Sequence, residues 1–263
     1  MRGDVGRWTT RRGRRDLTRS RRRGGTTFDP LTSISWQTAW WAGDPAWTKP
    51  SDGAAVASWT SGVGGRTLVQ ATGANQPLYR ASASGLNNQP CIEFDGVNDS
   101  LFDETFVGPT SDPYTVIWIG RYTNASPGAL QYMVTAWNSV FGAPCQYISR
   151  AISGVYGARW TTSRNGTLSS TDLTPHFARS QIGTTDTARI DEVGIGILAD
   201  PGAAAATSAL TVGAWATSAT TAGAPHLFGQ VAFVGFFPGD ISTAPQWAAF
   251  KVWAATTYGI TIA

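Results

Sequence analysis

Gly85-Leu-Asn-Asn-Gln-Pro-Cys-Ile-Glu-Phe-Asp-Gly-Val-Asn-Asp-Ser-Leu101 is the stretch whose reading decides the fold. Asn87, Asn88 and Pro90 are turn residues. They hand over to a short alternation in which Cys91, Glu93 and Asp95 face one way and Ile92 and Phe94 the other. A period of two over this length is the pattern of a half-buried strand. It stops at Asp95-Gly96, where glycine takes the positive φ of a tight reversal and Asp bonds its own backbone. Asn98 and Asp99 repeat that chemistry, and Leu101-Phe102 turns back towards the core. The pattern is a strand, a polar corner and a strand.

Outward from the corner, turn residues punctuate one apolar run after another. Tyr114-Thr-Val-Ile-Trp-Ile-Gly-Arg-Tyr122 reads as a buried strand, with others at 131 to 137, 145 to 149, 154 to 160, 188 to 198, 208 to 214 and 229 to 237. Short strands at this spacing argue for a two-sheet sandwich. The glycine-rich run at 62 to 80 lacks the Gly-Lys-Ser/Thr ending of a phosphate loop and no helical pattern follows it, so it reads as a loop. Only the end is helical: Ser242 or Thr243 can cap, Pro245 suits a first turn, and Trp247, Phe250, Ala254 and Tyr258 recur at helical spacing before Gly259.

Several of these segments resemble the concanavalin A-like lectin/glucanase (LamG-type) jelly-roll domains. The corner Phe94-Asp95-Gly96 with Asp99 and Leu101 carries the resemblance. So do Gly53-Ala-Ala-Val56-Ala-Ser-Trp59, the Gln76-Pro77-Leu78-Tyr79 approach, the pair Ala209 to Trp215 and Gly229 to Phe237, and the closing Tyr258-Gly259-Ile260. The resemblance spans roughly residues 34 to 263. It implies an all-β, two-sheet antiparallel jelly-roll sandwich with a short C-terminal helix. That superfamily is common in secreted bacterial proteins and in bacteriophage virion proteins, and it hosts lectins, hydrolases and inert modules alike.

Charge divides the chain in two. Arg2, Arg7, Arg11, Arg12, Arg14, Arg15, Arg19, Arg21, Arg22 and Arg23 stand against Asp4 and Asp16, so residues 1 to 24 carry +8. The whole chain carries +3, which leaves the body at about −5. Residues 1 to 33 therefore read as an Arg-rich extended arm and linker, too poor in apolar residues to build a core, and 34 to 263 as the sandwich domain. Arg11, Arg12, Arg14, Arg15, Arg19, Arg21, Arg22 and Arg23 either dock a partner, an acidic protein groove or nucleic acid, or form a solvated tail. No apolar run approaches a membrane span, and no apolar segment follows the arginines as an export signal requires.

A glucanase of the same superfamily needs a Glu-x-Asp-x-x-Glu strand, with paired carboxylates on one face. The nearest stretch, Glu93-Phe-Asp95-Gly-Val-Asn98, lacks the third carboxylate, and the chain has only three glutamates, at 93, 104 and 192. His176 and His226 each adjoin a proline in a loop-like setting, without metal-ligand spacing, and Asp191-Glu192 reads as a solvated turn. Cys91 reads as a small buried hydrophobe, and two cysteines, 91 and 145, allow one bridge or two free thiols. Asp95, Asn98, Asp99 and Asp103 place oxygen ligands at close spacing, which either hold a sugar or Ca²⁺ or, the favoured reading, satisfy backbone groups in a tight corner; no cofactor is expected. Trp40 and Trp41, with Trp36 and Trp47, either stack on sugar rings or fill the sandwich.

The function expected from these readings is a non-enzymatic bacteriophage virion structural protein. Its jelly roll would be displayed on capsid or tail, tethered by the arm and assembled in the host cytoplasm. Other virion proteins and copies of itself are the expected partners, with host glycan and nucleic acid as further contacts and no membrane. The alternative is a carbohydrate-binding, lectin-like module, and behind it a polysaccharide hydrolase.

Overall fold

The computed structural model describes residues 28–108, 113–125, 129–138, 143–150, 155–159, 163–169, 173–182, 187–194, 209–216 and 222–263. The arginines proposed to dock a partner, from Arg11 to Arg23, lie outside the described residues. In chain order the strands are β1 (Thr38–Trp41), β2 (Ser58–Thr60), β3 (Thr67–Val69), β4 (Leu78–Ala83), β5 (Gln89–Asp95), β6 (Leu101–Asp103), β7 (Tyr114–Tyr122), β8 (Gln131–Asn138) and β9 (Ala143–Arg150). They continue with β10 (Val155–Arg159), β11 (Ser163–Ser169), β12 (His176–Ile182), β13 (Thr187–Ile190), β14 (Val193–Gly194), β15 (Ala209–Val212), β16 (Ala214–Ala216), β17 (Ala222–His226) and β18 (Phe228–Phe237), before helix α1 (Trp247–Tyr258).

Two large antiparallel sheets form the sandwich. The first has the order β14-β13-β12-β7-β18-β5-β4, the second β11-β10-β9-β8-β15-β6-β3-β2, and β16 and β17 make a small hairpin. Strand β18 shares one edge between two partners: its first half pairs with β5 (Gln230 opposite Glu93) and its second half with β1 (Val234 opposite Trp40). Its other edge pairs with β7. These two central strands are buried almost end to end, with Arg121 the one partly exposed residue of β7.

That burial has two sources. Between the sheets pack Trp40, Trp47, Trp59, Ile92, Phe94, Trp118, Tyr122, Phe236 and their neighbours. On the outer face of the first sheet a second layer covers Cys91, Ile117, Ile119, Phe177 and Phe233 with helix α1 and residues near the N-terminal end of the body. Strand β5 is thus apolar on both faces at its start, and the half-buried strand expected there is correct only from Glu93 onward, where the helix no longer covers it. A bulge in β18 between Val231 and Phe233 lets Ala232 and Phe233 both join the outer layer.

Helix α1 buries Trp247, Phe250, Ala254 and Tyr258, the positions its spacing predicts. Gly259, at φ +72, closes it with its N–H donated to the Ala255 carbonyl. The cap expected at Ser242 or Thr243 belongs instead to the short 3-10 turn Ile241–Thr243, where Asp240 accepts from the Ser242 N–H. Residues 28 to 33, expected to be linker, already pack: Phe28 meets Phe250 edge-on at 6.3 Å, and Leu31 is buried. Cys91 is a buried free thiol, so it forms no bridge with Cys145.

Candidate functional site

The polar corner closes on itself. Asp95 Oδ1 accepts from the N–H groups of Val97 (2.8 Å) and Asn98 (3.3 Å), and the Asp95 N–H donates to Asp99 Oδ2 at 2.9 Å. Gly96 sits at φ +76, and a Cβ there would lie 2.5 Å from Cδ2 of Phe228, so only glycine lets the corner rest on that ring. Asp99 is 5% exposed. Burial pushes its carboxyl up to about 6; the Asp95 N–H pulls it down, and the Asp95 charge raises it further.

Asp103 is placed elsewhere. On β6 in the second sheet its Oδ1 accepts from the N–H and hydroxyl of Thr105, both at 2.9 Å, and Arg66 lies 3.6 Å from its Oδ2. The four oxygen ligands are therefore not pooled: Asp95 and Asp99 satisfy backbone groups of the tight corner, as the backbone reading of the sequence has it, and Asp103 serves Thr105 in its own turn. Among the described residues no three of His, Cys, Asp and Glu gather around a common point. Trp40 is likewise corrected as a sugar platform, because its ring is fully buried between the sheets. Trp41, its neighbour on the opposite face, donates from Nε1 to the Tyr258 hydroxyl at 2.9 Å and meets Trp253 edge-on, and so anchors the helix. Asp95 stays exposed, and Asn98 is half-buried.

Where α1 ends, the outer face of the first sheet turns polar. Strands β4, β5, β18 and β7 bring Arg80, Glu93, Gln230 and Arg121 into one row, with Gln230 opposite Glu93 on one side and Arg121 on the other. Arg80 donates from Nε (3.0 Å) and Nη2 (2.6 Å) to Glu93 Oε1, and Gln230 Nε2 donates to Glu93 Oε2 at 2.5 Å. Arg121 Nε donates to Gln230 Oε1 at 2.8 Å and its Nη1 to the Leu173 carbonyl at 3.2 Å. Each member holds the next in a chosen orientation. Beside the row lies a cleft of about 380 Å³ walled by Glu93, Arg121, Gln230, Asp95, Asp99 and Phe228. A second cleft of about 290 Å³ also touches Phe228 and is lined by Gly96, Val97, Gln131 and His226.

Sequence reasoning found Glu93, Asp95 and Asp99 but missed Arg121, Gln230 and Phe228. The signal was present: Arg121 and Gln230 are polar residues inside otherwise apolar runs, and a buried polar group in a central strand needs a partner. The histidines also differ from expectation. His176 opens the internal strand β12, 5% exposed, with Nδ1 2.7 Å from Asp191 Oδ2. His226 ends β17 and lines the second cleft; burial lowers its pKa against a smaller upward pull from Asp95. Glu192, expected in a solvated turn, instead pairs with buried Arg179 at 3.0 Å.

No protein-family model matches the chain, and no curated protein matches it significantly. Solved structures do match. The chain is similar to Trypanosoma rangeli sialidase in complex with sialic acid (TM-score 0.54, 12% identity) and to Trypanosoma rangeli sialidase (TM-score 0.53, 11% identity), each over 82% of this chain. Both matches cover 32% of the sialidase, so this protein spans about a third of the length of the chains it matches. Identity this low shows a shared fold alone.

The fold class is thereby an all-β sandwich of two large antiparallel sheets with one short C-terminal helix. The finer LamG-type membership rests on the quoted motifs only. The expected role as a bacteriophage virion structural protein is set aside: the structures named above are sialidases, and no capsid or tail protein stands among them.

Proposed function

We propose that this chain is a carbohydrate-binding module that receives glycan in the cleft beside Arg121, Gln230 and Phe228. The row from Arg80 to Arg121, running alongside that ring, carries the reading. Sugars present hydroxyls around their edge and C–H groups on their faces. Planar groups held at fixed orientation suit the first and an aromatic ring suits the second. The cleft volume lies within the range of ~300–1,000 Å³ common to small-ligand sites. The likeness of fold to sialidases, one of them in complex with sialic acid, adds support for a link to glycans.

The module acts by binding and not by hydrolysis. Glu93, the carboxylate best placed on the sheet, is ion-paired with Arg80 through one oxygen and accepts from Gln230 with the other, which makes it a member of the binding row. A glycan microarray followed by titration calorimetry tests the reading. Arg121→Ala and Gln230→Leu are expected to weaken binding at least ~10-fold while the circular dichroism spectrum stays unchanged. Absence of binding to any glycan, or binding untouched by both substitutions, overturns it.

A further inference from the structure

The second cleft contains a buried polar atom that nothing in the fold explains. Gln131, at the start of β8, is 4% exposed, and its Oε1 meets no hydrogen-bond donor. Buried acceptors are nearly always paired, because an unpaired one forfeits its hydration. Gln131 lines the second cleft, and the terminal torsion of a glutamine is broad, so the amide can reorient without leaving a favoured rotamer. A ligand that donates a hydrogen bond there would supply the missing partner.

The two clefts share one wall. Phe228 lines both, and the corner separates them, with Asp95 and Asp99 on the side of the larger cleft and Gly96 and Val97 on the side of the smaller. Gly96 packs directly on the Phe228 ring, with no space for a side chain between them, so the corner and the ring meet where the two clefts adjoin. Two adjoining pockets that share an aromatic ring suit two successive units of one chain-like ligand.

Charge narrows the ligand class. The smaller cleft is walled by Gly96, Val97, Gln131, His226 and other residues without a carboxylate, lysine or arginine. Burial favours the uncharged form of His226. In the larger cleft three carboxylates, Glu93, Asp95 and Asp99, share the wall with one arginine, Arg121, and Glu93 is paired with Arg80 beside it. With the carboxylates ionised the balance of these five groups is 2 − 3 = −1, which disfavours an acidic sugar and not a hydroxyl-rich neutral one.

We propose that the paired clefts form a two-subsite groove for a neutral oligosaccharide, with one unit beside Arg121 and Gln230, the next against Gln131, and Phe228 between them. The proposal rests on the glycan-binding reading given above.

The test titrates the full chain with cellohexaose, maltohexaose, laminarihexaose, chitohexaose and mannohexaose, with the mono- and disaccharide of each, and with sialyllactose and polygalacturonate. Binding of one neutral series is expected, with affinity rising at least ~10-fold from monosaccharide to disaccharide. Gln131→Leu is expected to erase that rise while leaving monosaccharide affinity and thermal stability intact, since it removes an unpaired acceptor and not a bond. Preference for either acidic ligand, affinity independent of length, or a Gln131→Leu chain that keeps the full rise overturns the groove yet leaves the glycan-binding reading standing. If no ligand of either class binds, both fall together.

Discussion

The Arg121 guanidinium occupies the space in which a side chain on Gly85 would begin: a Cβ there would lie 1.9 Å from Arg121 Cζ. The short turn Ser84–Leu86 thus lies over the cleft arginine, which is also held by Gln230 and by the Leu173 carbonyl. Gly85→Ala is expected to push the guanidinium off Gln230. Because the displaced atoms are the far end of a flexible side chain, the fold absorbs the change. Glycan affinity should fall ~10-fold, equal to about 1.4 kcal/mol, while the melting temperature moves by only a few degrees. A binding titration paired with a thermal melt reads both numbers.

Asp99 makes the stability of the corner depend on pH. Its carboxyl is raised from an ordinary 3.8 to about 6, chiefly by burial, so the folded state holds the proton more tightly than the unfolded chain does. The stabilisation is complete below about 3.8 and is lost as pH rises through about 6. Asp99→Asn keeps an acceptor for the Asp95 N–H and removes the titration. The variant is expected to match the wild type near pH 4 and to exceed it at pH 7.5 by up to ~3 kcal/mol, at ~1.4 kcal/mol per unit. Denaturation curves of the two proteins across that range give the difference, in which the opposite contribution of His226 cancels.

Arg179 holds the outer layer to the first sheet. It is 5% exposed, pairs with Glu192 at 3.0 Å, and places its guanidinium 5.5 Å from the centre of the Trp247 ring. Arg179→Met leaves Glu192 buried without its cation and should cost ~3 kcal/mol in urea unfolding. Arg179→Met combined with Glu192→Gln should recover part of that loss, because no uncompensated charge then remains. Equal destabilisation by the single and double variants would show that packing on Trp247, and not the ion pair, carries the effect.

Cys91 is fully buried, and burial, with the charge of Glu93 adding to it, pushes its thiol far above the usual range. Alkylation by iodoacetamide at pH 8 is expected to run at least ~100-fold slower in the folded protein than in denaturant, since the thiolate is the reactive form. Peptide mass spectrometry separates its labelling from that of Cys145.

Much of the fold is legible along the chain. Trp247, Phe250, Ala254 and Tyr258 announce α1, the run from Tyr114 to Tyr122 announces β7, and Asp95-Gly96 announces the corner. Strand β12 is not legible, because Arg179, Ser180 and Gln181 break its apolar pattern; Arg179 is held there by Glu192, beyond β13, and by Gln181 of its own strand. Strands β3 and β4 fall in a stretch read as loop, since three residues of Thr67–Val69 hold too little periodicity to register. Trp40 and Trp41 show the limit most simply. Alternation says that they face opposite ways, but not that both ways are covered, one by a sheet and the other by a helix.

The sequence by itself determined what depends on near neighbours: strand periods, the helix stripe, and the corner whose Asp and Gly answer to backbone groups two to four residues away. Tertiary structure decided the site. Glu93 and Gln230 are 137 positions apart in the chain and Arg121 and Gln230 are 109 apart; they meet only because β18 pairs with β5 on one edge and β7 on the other. Long-range register, and the point where the helix stops covering the sheet, set which polar groups face a cleft, and neither is written in any local pattern of residues.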